Sequence, residues 1–230
     1  MKVAIVTVGD ELLAGETTNT NATWLSEQLT ACGCRVERVT TVPDRVKAIA
    51  RVVNEYHAEY DAVVVTGGLG PTLDDVTVAG VAAAVGRSVE HHDVAFEWLT
   101  EHGGYHADDL DVGTADLPAG ARMLPNTVGV APGCVIESIY VLPGVPREMK
   151  AMFDNVADEF SGEPVHTRIV VVDEPESALL DRLATVDERF PVTVGSYPGE
   201  FVRVKFSAND PTVVATAADW FADRVVLAEE

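Results

Sequence analysis

The sequence predicts an α/β protein of three layers, with helices on both faces of a mostly parallel sheet, followed by a small α+β unit. Three observations carry that prediction. Val3 to Val8 is an unbroken β-branched run of the kind found in strands covered on both faces. The chain then alternates strand, helix, strand, helix, strand, glycine loop, helix, the signature of βαβ units. Beyond about Phe160 the pattern changes to a shorter βαββα order. The 230 residues suffice for one α/β domain of about 150 residues with an appendage. The expected division is 1–160 and 161–230, with Ser161-Gly162-Glu163-Pro164 as the linker.

The first strand ends at Gly9-Asp10. From Asn21 to Cys32 the apolar positions Ala22, Leu25, Leu29 and Cys32 fall at helical spacing, and Gly33 supplies the stop. Val36, Val39 and Val42 lead to Pro43-Asp44, and Val46, Ile49, Val53 and Tyr56 mark a second helical face. The third strand, Ala62 to Thr66, empties into a glycine loop, after which Val76 to Val85 reads as an Ala/Val-rich helix closed by Gly86. Residues 87–120 predict a helix from Asp93 to His102 and otherwise a loop rich in Gly and Asp. Short strands are expected at Ala121 to Leu124, Cys134 to Glu137 and Ile139 to Leu142, the last two forming a hairpin around Glu137-Ser138. Pro146 then opens a helix carrying Met149, Met152, Phe153 and Val156. In the remainder, strands are expected at 166–172, 192–196 and 201–207, and helices at 175–186 and 212–226.

Composition excludes several classes of function. With 47% apolar and 23% charged residues, the chain has an ordinary soluble composition, and no window approaches the roughly 18 consecutive apolar residues of a membrane helix. No membrane partner is expected. The N-terminal run meets Asp10 too early for a signal peptide and lacks its cleavage pattern, which predicts a cytoplasmic protein. Charge is the unusual quantity: 37 acids against 16 bases give −21. Residues 1–150 carry 21 acids and 10 bases, and residues 151–230 carry 16 and 6, so the acidity is spread over both parts. Such a field repels DNA and RNA, whose binding depends on neutralising phosphates, so no nucleic-acid partner is expected. An evenly acidic, Lys-poor chain resembles halophilic proteins, in which ambient salt screens the self-repulsion. Cys32, Cys34 and Cys134 stand in no zinc or redox spacing, and Cys32 and Cys34 read as ordinary buried residues flanking a turn.

Chemistry concentrates in Thr66-Gly67-Gly68-Leu69-Gly70-Pro71-Thr72-Leu73-Asp74-Asp75. Its glycines let the backbone approach a ligand and aim N–H groups at an anion, and the following helix start adds a favourable dipole; together they make a phosphate cradle. The Lys-Ser/Thr pair of a P-loop is absent and the glycine spacing is not the dinucleotide fingerprint, so neither ATPase nor dehydrogenase is supported. Asp74 and Asp75 fit two roles. They either cap the helix or hold a divalent cation, without which two carboxylates beside the cradle would repel the phosphate. Gly9-Asp10-Glu11 ends the first strand and Pro43-Asp44 the second, so acids gather at the sheet edge that carries Asp75. Asn19 and Asn21 fit either a helix cap or a contact to a polar heterocycle. The Gly/Pro loops at 126–133 and 142–149 fit tight turns as well as ligand contacts. His91, His92, His102 and His106 cluster, but Gly103-Gly104 breaks any helix aligning His102 with His106, so they read as surface or loop histidines.

Four blocks extend this pattern: Gly9-Asp10-Glu11-Leu12-Leu13-x-Gly15 with Asn19-x-Asn21 and Leu25; the loop from Thr66 to Asp75 with Thr77; Asn126-x-x-Gly129-x-Ala131-Pro132-Gly133; and Leu142-Pro143-Gly144-Val145-Pro146-x-Glu148-Met149-Lys150. In this order they resemble the N-terminal domain of the CinA competence/damage-inducible family, within the wider MoaB/Mog superfamily of molybdopterin-binding domains. The resemblance implies a MogA-like three-layer fold. The βαββα remainder is similar to the small KH-like domain that follows in CinA relatives, without the basic glycine loop of RNA-binding KH domains. The C-terminal pyridine-nucleotide deamidase domain of full-length bacterial CinA has no match here, and its activity is not carried over.

Two chemistries follow from the resemblance. In the CinA branch the domain is linked to divalent-metal-dependent hydrolysis of ADP-ribose, and a related domain of eukaryotic FAD synthases to hydrolysis of FAD; both cleave a pyrophosphate. In the Mog branch it binds or adenylylates molybdopterin, through aspartates that Asp75 and Asp44 match. The Mog loop usually carries Arg where this chain has Asp74, an extra acid that favours metal and the CinA reading. The Lys expected after Asn126 is Thr127 here. The resemblance thus implies Asp75, Asp44 and Asp74 as catalytic, with Asp74 and Asp75 on a cation such as Mg, Mn or Co. Substrate contacts are expected from Gly9, Asp10, Glu11, Asn19, Asn21, Thr66, Gly67, Gly68, Gly70, Pro71, Thr72, Asn126, Gly129, Pro143, Gly144, Pro146 and Glu148. The expected partners are a small-molecule nucleotide or pterin, possession of further copies as a dimer or trimer is implied, and a non-catalytic nucleotide- or pterin-binding module is the competing class.

The charge excess makes one prediction independent of any site. Raising KCl from about 0.1 M to about 2 M shortens the screening length to a few ångströms, so thermal unfolding followed by circular dichroism is expected to move to higher temperature. A midpoint that falls over this range would refute self-repulsion as the dominant surface effect.

Overall fold

Every residue from Val3 to Val8 is buried, and a strand with no exposed face needs a layer of helices on each side. The computed structural model supplies both layers. It describes residues 1–101 and 113–228, which fall into two units, Met1–Gly162 and Glu163–Glu230. The first unit runs β1 (Lys2–Val8), α1 (Asp10–Leu13), α2 (Thr20–Ala31), β2 (Arg35–Val42), α3 (Val46–Glu59), β3 (Ala62–Gly67), α4 (Thr77–Ala84), β4 (Val89–His91), α5 (Asp93–Glu101), β5 (Asp116–Pro118), β6 (Arg122–Leu124), β7 (Gly133–Ile136), β8 (Ile139–Pro143) and α6 (Pro146–Asp154).

The period of two along the strands builds the layers. Ala4, Val6 and Val8 of β1 pack with Val63 and Val65 of β3 against Ile49 and Val53 of α3 and Val81 of α4. Val3 and Ile5, with Ala62 and Val64, pack on the other face against Leu25 and Leu29 of α2 and Met149, Met152 and Phe153 of α6. The strand order is β2-β1-β3-β8-β7-β6. The pairs β1/β2, β1/β3 and β3/β8 are parallel, and β7 and β6 complete the sheet antiparallel. The fold is therefore α/β with a mostly parallel central sheet. Because the chain leaves β1 for β2 on one side and later enters β3 on the other, the loops after β1 and β3 diverge, and a crevice opens at their carboxyl ends.

In the second unit, β9 (His166–Val172), α7 (Glu176–Arg189), β10 (Thr193–Tyr197), β11 (Val202–Ala208) and α8 (Pro211–Ala222) form an antiparallel sheet of order β10-β11-β9. Val170, Val204 and Phe206 of that sheet pack against Leu179 and Val186 of α7 and Val214 and Phe221 of α8. The last helix ends at Ala222, short of the expected residue 226. Beyond it Leu227 bridges Val172 of β9, and the main-chain N–H of Val226 donates to Glu174 Oε1 at 2.7 Å. Arg182 holds that carboxylate through both its oxygens, at 3.0 and 2.6 Å, and this pairing keeps the Glu174 carboxyl below the usual range.

Two further elements differ from the sequence reading. The short helix α1 and the antiparallel pair β4/β5 stand where only loops were expected, because pieces of three or four residues are too short to display a period. Helix α5 is described to Glu101; its expected end at His102, and His106, lie outside the described residues. Among the described residues no helix is long and apolar enough to cross a membrane. Cys34 and Cys134 are buried, whereas Cys32, expected to be buried too, is only half-buried; burial pushes the Cys134 thiol up to about 12, consistent with a structural thiol.

Gly80 in α4 marks where helices α3 and α4 meet closely: a Cβ there would lie 2.6 Å from both Cβ and Cγ2 of Ile49. Alanine is the better helix former by about 1 kcal/mol, so helix propensity alone predicts that Gly80→Ala stabilises. Overpacking of a closed core costs about 1–3 kcal/mol, and the variant is expected to lower the urea midpoint. A raised midpoint would show that the helices yield freely.

Candidate functional site

The loops after β1, β2, β3 and β8 converge on the crevice. After β1, the N–H of Gly9 donates to the Val42 carbonyl at 3.1 Å and the N–H of Asp10 donates to Asp44 Oδ2 at 2.8 Å, which ties this loop to the end of β2. Burial pushes the Asp44 carboxyl above its ordinary range; the Asp10 N–H partly offsets this, and the nearby charges of Asp10, Glu11 and Asp74 push it further up. Asp10, Glu11 and Asp74 are thus within electrostatic reach of Asp44.

After β3, the glycine loop is folded around Asp75. Thr72 donates to Asp75 Oδ2 through its main-chain N–H at 3.3 Å and its hydroxyl at 2.5 Å. The same hydroxyl proton is shared with Asp74 Oδ1 at 2.7 Å, and this contact first, then the Asp74 backbone N–H, holds the Asp74 carboxyl below the usual range. Gly68 and Gly70 are the positions that admit Asp75. A Cβ on Gly68 would strike Asp75 Oδ1 and one on Gly70 would lie 2.7 Å from Oδ2. The glycines therefore serve an internal carboxylate, a use that spacing alone does not reveal. Gly67 is confined differently, against Thr77 Oγ1 and the side chain of Val8. Pro71 and Thr72 are exposed beside Leu73, which is 100% exposed at the loop tip.

After β8, Pro143 pairs with Gly67, and a Cβ on Gly144 would lie 3.3 Å from the Gly67 carbonyl carbon. Asn21 donates its Nδ2 to the Gly144 carbonyl at 2.7 Å. Asn19 is occupied within the fold: its Oδ1 accepts from Ala22 N at 3.0 Å as the cap of α2, and its Nδ2 donates to Thr7 Oγ1 at 2.9 Å. Asn126, buried, accepts from Gly129 N at 2.8 Å and donates to Glu148 Oε2 at 2.7 Å and the Ala131 carbonyl at 3.0 Å. Asn126, Gly129 and Glu148 thus form a knot that pins their loop to the first turn of α6.

Two clefts flank these loops. One of about 80 Å³ is lined by Val8, Glu11, Asn21, Thr66, Gly144 and Pro146 among others; the second, of about 210 Å³, takes in Gly70, Thr72, Asp75, Val78 and Asp116. Among the described residues no three His, Cys, Asp or Glu side chains converge as a metal cage. A hard cation at this edge would therefore take one or two carboxylates and complete its shell from ligand phosphate and water, as Mg²⁺ commonly does. His91 and His92 are used otherwise: His92 accepts from Ala95 N and meets the Ala121 carbonyl, and His91 lies 3.9 Å from Asp116.

One residue stands in the second of the four sequence blocks with no role attached to it. Thr77, at the first position of α4, is fully buried, and its Oγ1 has no hydrogen-bond partner among the described residues. Its place two residues after Asp75 was the available signal, but a threonine opening a helix attracts no attention on propensity grounds.

Fold and edge together define a class: an α/β protein with a mostly parallel sheet that gathers a glycine loop and several acids at the carboxyl ends of its strands. The chain belongs to the family described as "Probable molybdopterin binding domain", whose model matches residues 4–162. It is 37% identical to a protein of Archaeoglobus fulgidus across 97% of each chain, and 42% identical to one of Aeropyrum pernix across 94% of this chain and 88% of that one. A CinA-like protein of Citrifermentans bemidjiense is 41% identical over 70% of this chain, which corresponds to 41% of that protein. The crystal structure of CinA from Thermoplasma acidophilum superposes with a TM-score of 0.64 at 34% identity, covering 69% of this chain and 97% of that one. The protein is thus CinA-like.

The position of Asp44 makes a pH prediction. Its folded-state carboxyl binds its proton more tightly than in the unfolded chain, so its contribution to stability is greatest at low pH and is lost as pH rises from about 4 through the raised value. In metal-free buffer, Asp44→Asn is expected to be more stable than the parent near neutral pH, with the difference shrinking on acidification. Unfolding midpoints across pH 3–7 (about the range that titrates carboxyls) check this, and a variant less stable at every pH would overturn it.

Proposed function

We propose that the first unit is a divalent-metal-dependent hydrolase of nucleotide diphosphates of the ADP-ribose or FAD type. The observation that carries the reading is the anchoring of Asp75. Both donors from Thr72 go to Oδ2, which leaves Oδ1, against Gly68, with lone pairs for a cation. Asp74 and Asp44 stand at the same edge, and their combined charge would repel a diphosphate unless a cation intervened. The kinship with CinA-like proteins supports the same reading.

Asp75, with Asp74 or Asp44, would hold the cation, which supplies neutralisation of the diphosphate and acidification of a water. The chain's own contribution is to position the substrate. Main-chain groups of Gly67 and Gly70 border the diphosphate, the N-terminus of α4 directs its dipole at it, and the buried Thr77 hydroxyl supplies a hydrogen bond beside Gly67. Water attacks one phosphorus, the bond to the bridging oxygen breaks, and ADP-ribose yields AMP and ribose 5-phosphate. No nucleophilic side chain is required.

A second reading, binding or adenylylation of a pterin, draws on the family description. Incubation in molar KCl with ADP-ribose and Mg²⁺, Mn²⁺ or Co²⁺, with AMP followed by chromatography, separates the two. AMP is expected only with metal, and Asp75→Asn is expected to lower turnover by about 100-fold or more while retaining the parent's circular dichroism. AMP release unchanged in that variant would overturn the assignment of Asp75. No AMP from ADP-ribose, FAD or NAD would overturn the hydrolase and leave the pterin.

A further inference from the structure

In the first unit, two buried side-chain polar atoms have no hydrogen-bond partner among the described residues, Asn21 Oδ1 and Thr77 Oγ1. Buried polar atoms are nearly always paired, so each exception calls for an explanation. Both flank one place, the close approach of Gly67 and Gly144. Thr77 Oγ1 lies against Gly67, and Asn21 is bonded to the Gly144 carbonyl. The proposed phosphate chemistry accounts for a hydroxyl beside the glycine loop, but it does not account for the amide oxygen of Asn21.

The chemical sense of that amide is fixed. A carbonyl oxygen only accepts, so the group facing Gly144 O at 2.7 Å must be the NH₂ of Asn21, and a flipped amide would set two oxygens against each other. The remaining atom, Oδ1, is therefore an acceptor held in place by the main chain. It belongs to a residue lining the small cleft of about 80 Å³, and the same cleft is lined by Glu11, whose carboxylate folds back over Gly9, 2.5 Å from where a Cβ would stand. A cleft lined by a residue with a fixed, unpaired amide oxygen and by an acid favours N–H groups over phosphate.

We propose that this cleft receives the heterocyclic end of the ligand, and that Asn21 is a specificity-determining residue selecting rings that present an N–H donor, such as an exocyclic amine, with Glu11 as a second acceptor. The inference rests on the proposed binding of a nucleotide at the strand ends. It assigns the two ends of that ligand: phosphates toward Gly67, Thr77 and the acids that hold the cation, and the amino-bearing ring toward Asn21. A ring without a donor on that edge leaves Oδ1 buried and unpaired, which is the situation that gives polar sites their discrimination.

The test is equilibrium binding by calorimetry, with Mg²⁺ present, of AMP and of purine riboside 5′-monophosphate, which differs by the missing 6-amino group. The parent is expected to bind AMP about threefold to tenfold more tightly, and Asn21→Leu is expected to bind the two nucleotides equally. Should Asn21→Leu fail to fold, Asn21→Ser, which keeps a small polar group but cannot reach both partners, is expected to narrow the preference in the same way. Equal affinities in the parent would overturn the role of Asn21 while leaving nucleotide binding intact. A preference that survives in both variants would overturn it too. If neither nucleotide binds the parent, the underlying reading fails along with this one.

Discussion

With Val3 to Val8 and Ala62 to Gly67 buried, the two central strands have no face on which to carry polar chemistry. Parallel strands must also be joined by crossovers, so each strand's carboxyl end is a place where the chain stops being apolar and turns. Both consequences push polar residues to one edge. Gly9-Asp10-Glu11, Pro43-Asp44, Gly67 to Asp75 and Gly144 to Pro146 are what the chain places there. The acids at this edge are a product of the sheet's complete coverage, and the coverage follows from the alternation that sends Ala4 and Val6 to one helical layer and Val3 and Ile5 to the other.

Within that edge, the glycine loop answers a packing demand as much as a ligand. Gly68 and Gly70 are required because Asp75 turns inward between them, and Thr72 then satisfies one of its oxygens. The loop fixes a carboxylate in a single orientation before any ligand arrives. Preorganisation of this kind is what a charged group in an electrostatic site needs, since reorientation during reaction would consume part of the stabilisation it provides. The knot of Asn126, Gly129 and Glu148 does the equivalent for the loop leading to β7, and the Asn19 cap for the start of α2.

The long apolar runs made much of the fold legible: the strands of the parallel sheet, the hairpin at Glu137-Ser138, and helices α2, α3, α4 and α6 are written in period-two or helical spacing. What escaped was either too short to have a period, such as α1 and the β4/β5 pair, or decided by distant partners. Residues 223–226 continue a helical pattern locally, yet the chain turns after Ala222, and Glu174 and β9 hold Val226 and Leu227. At the site, the sequence named residues but not their employment. Nothing in the spacing of Gly68 and Gly70 says that a side chain five to seven positions downstream would fill them, and Asn19 and Asn21 look alike on paper. Tertiary partners separate the two: Asn19 is bonded at both ends of its amide, whereas Asn21 is bonded at one.

The chain's charge acts on such a site at two ranges, and they respond differently to salt. The overall −21 is a long-range field, and at molar ionic strength a screening length of about 3 Å removes most of it. Asp74 and Asp75 share the Thr72 hydroxyl, and at such short range two like charges about 4 Å apart repel by about 4 kcal/mol near a protein surface. Salt in the solvent does less for groups this close, and for a carboxyl partly withdrawn from water, as Asp44 is. An acidic chain in concentrated salt is therefore freed from its global repulsion of anions but not from the local one. On the proposed function, the carboxylates at the strand ends would then admit a diphosphate only together with a cation, and the selectivity for that cation would rest on the few oxygens the glycine loop holds in place.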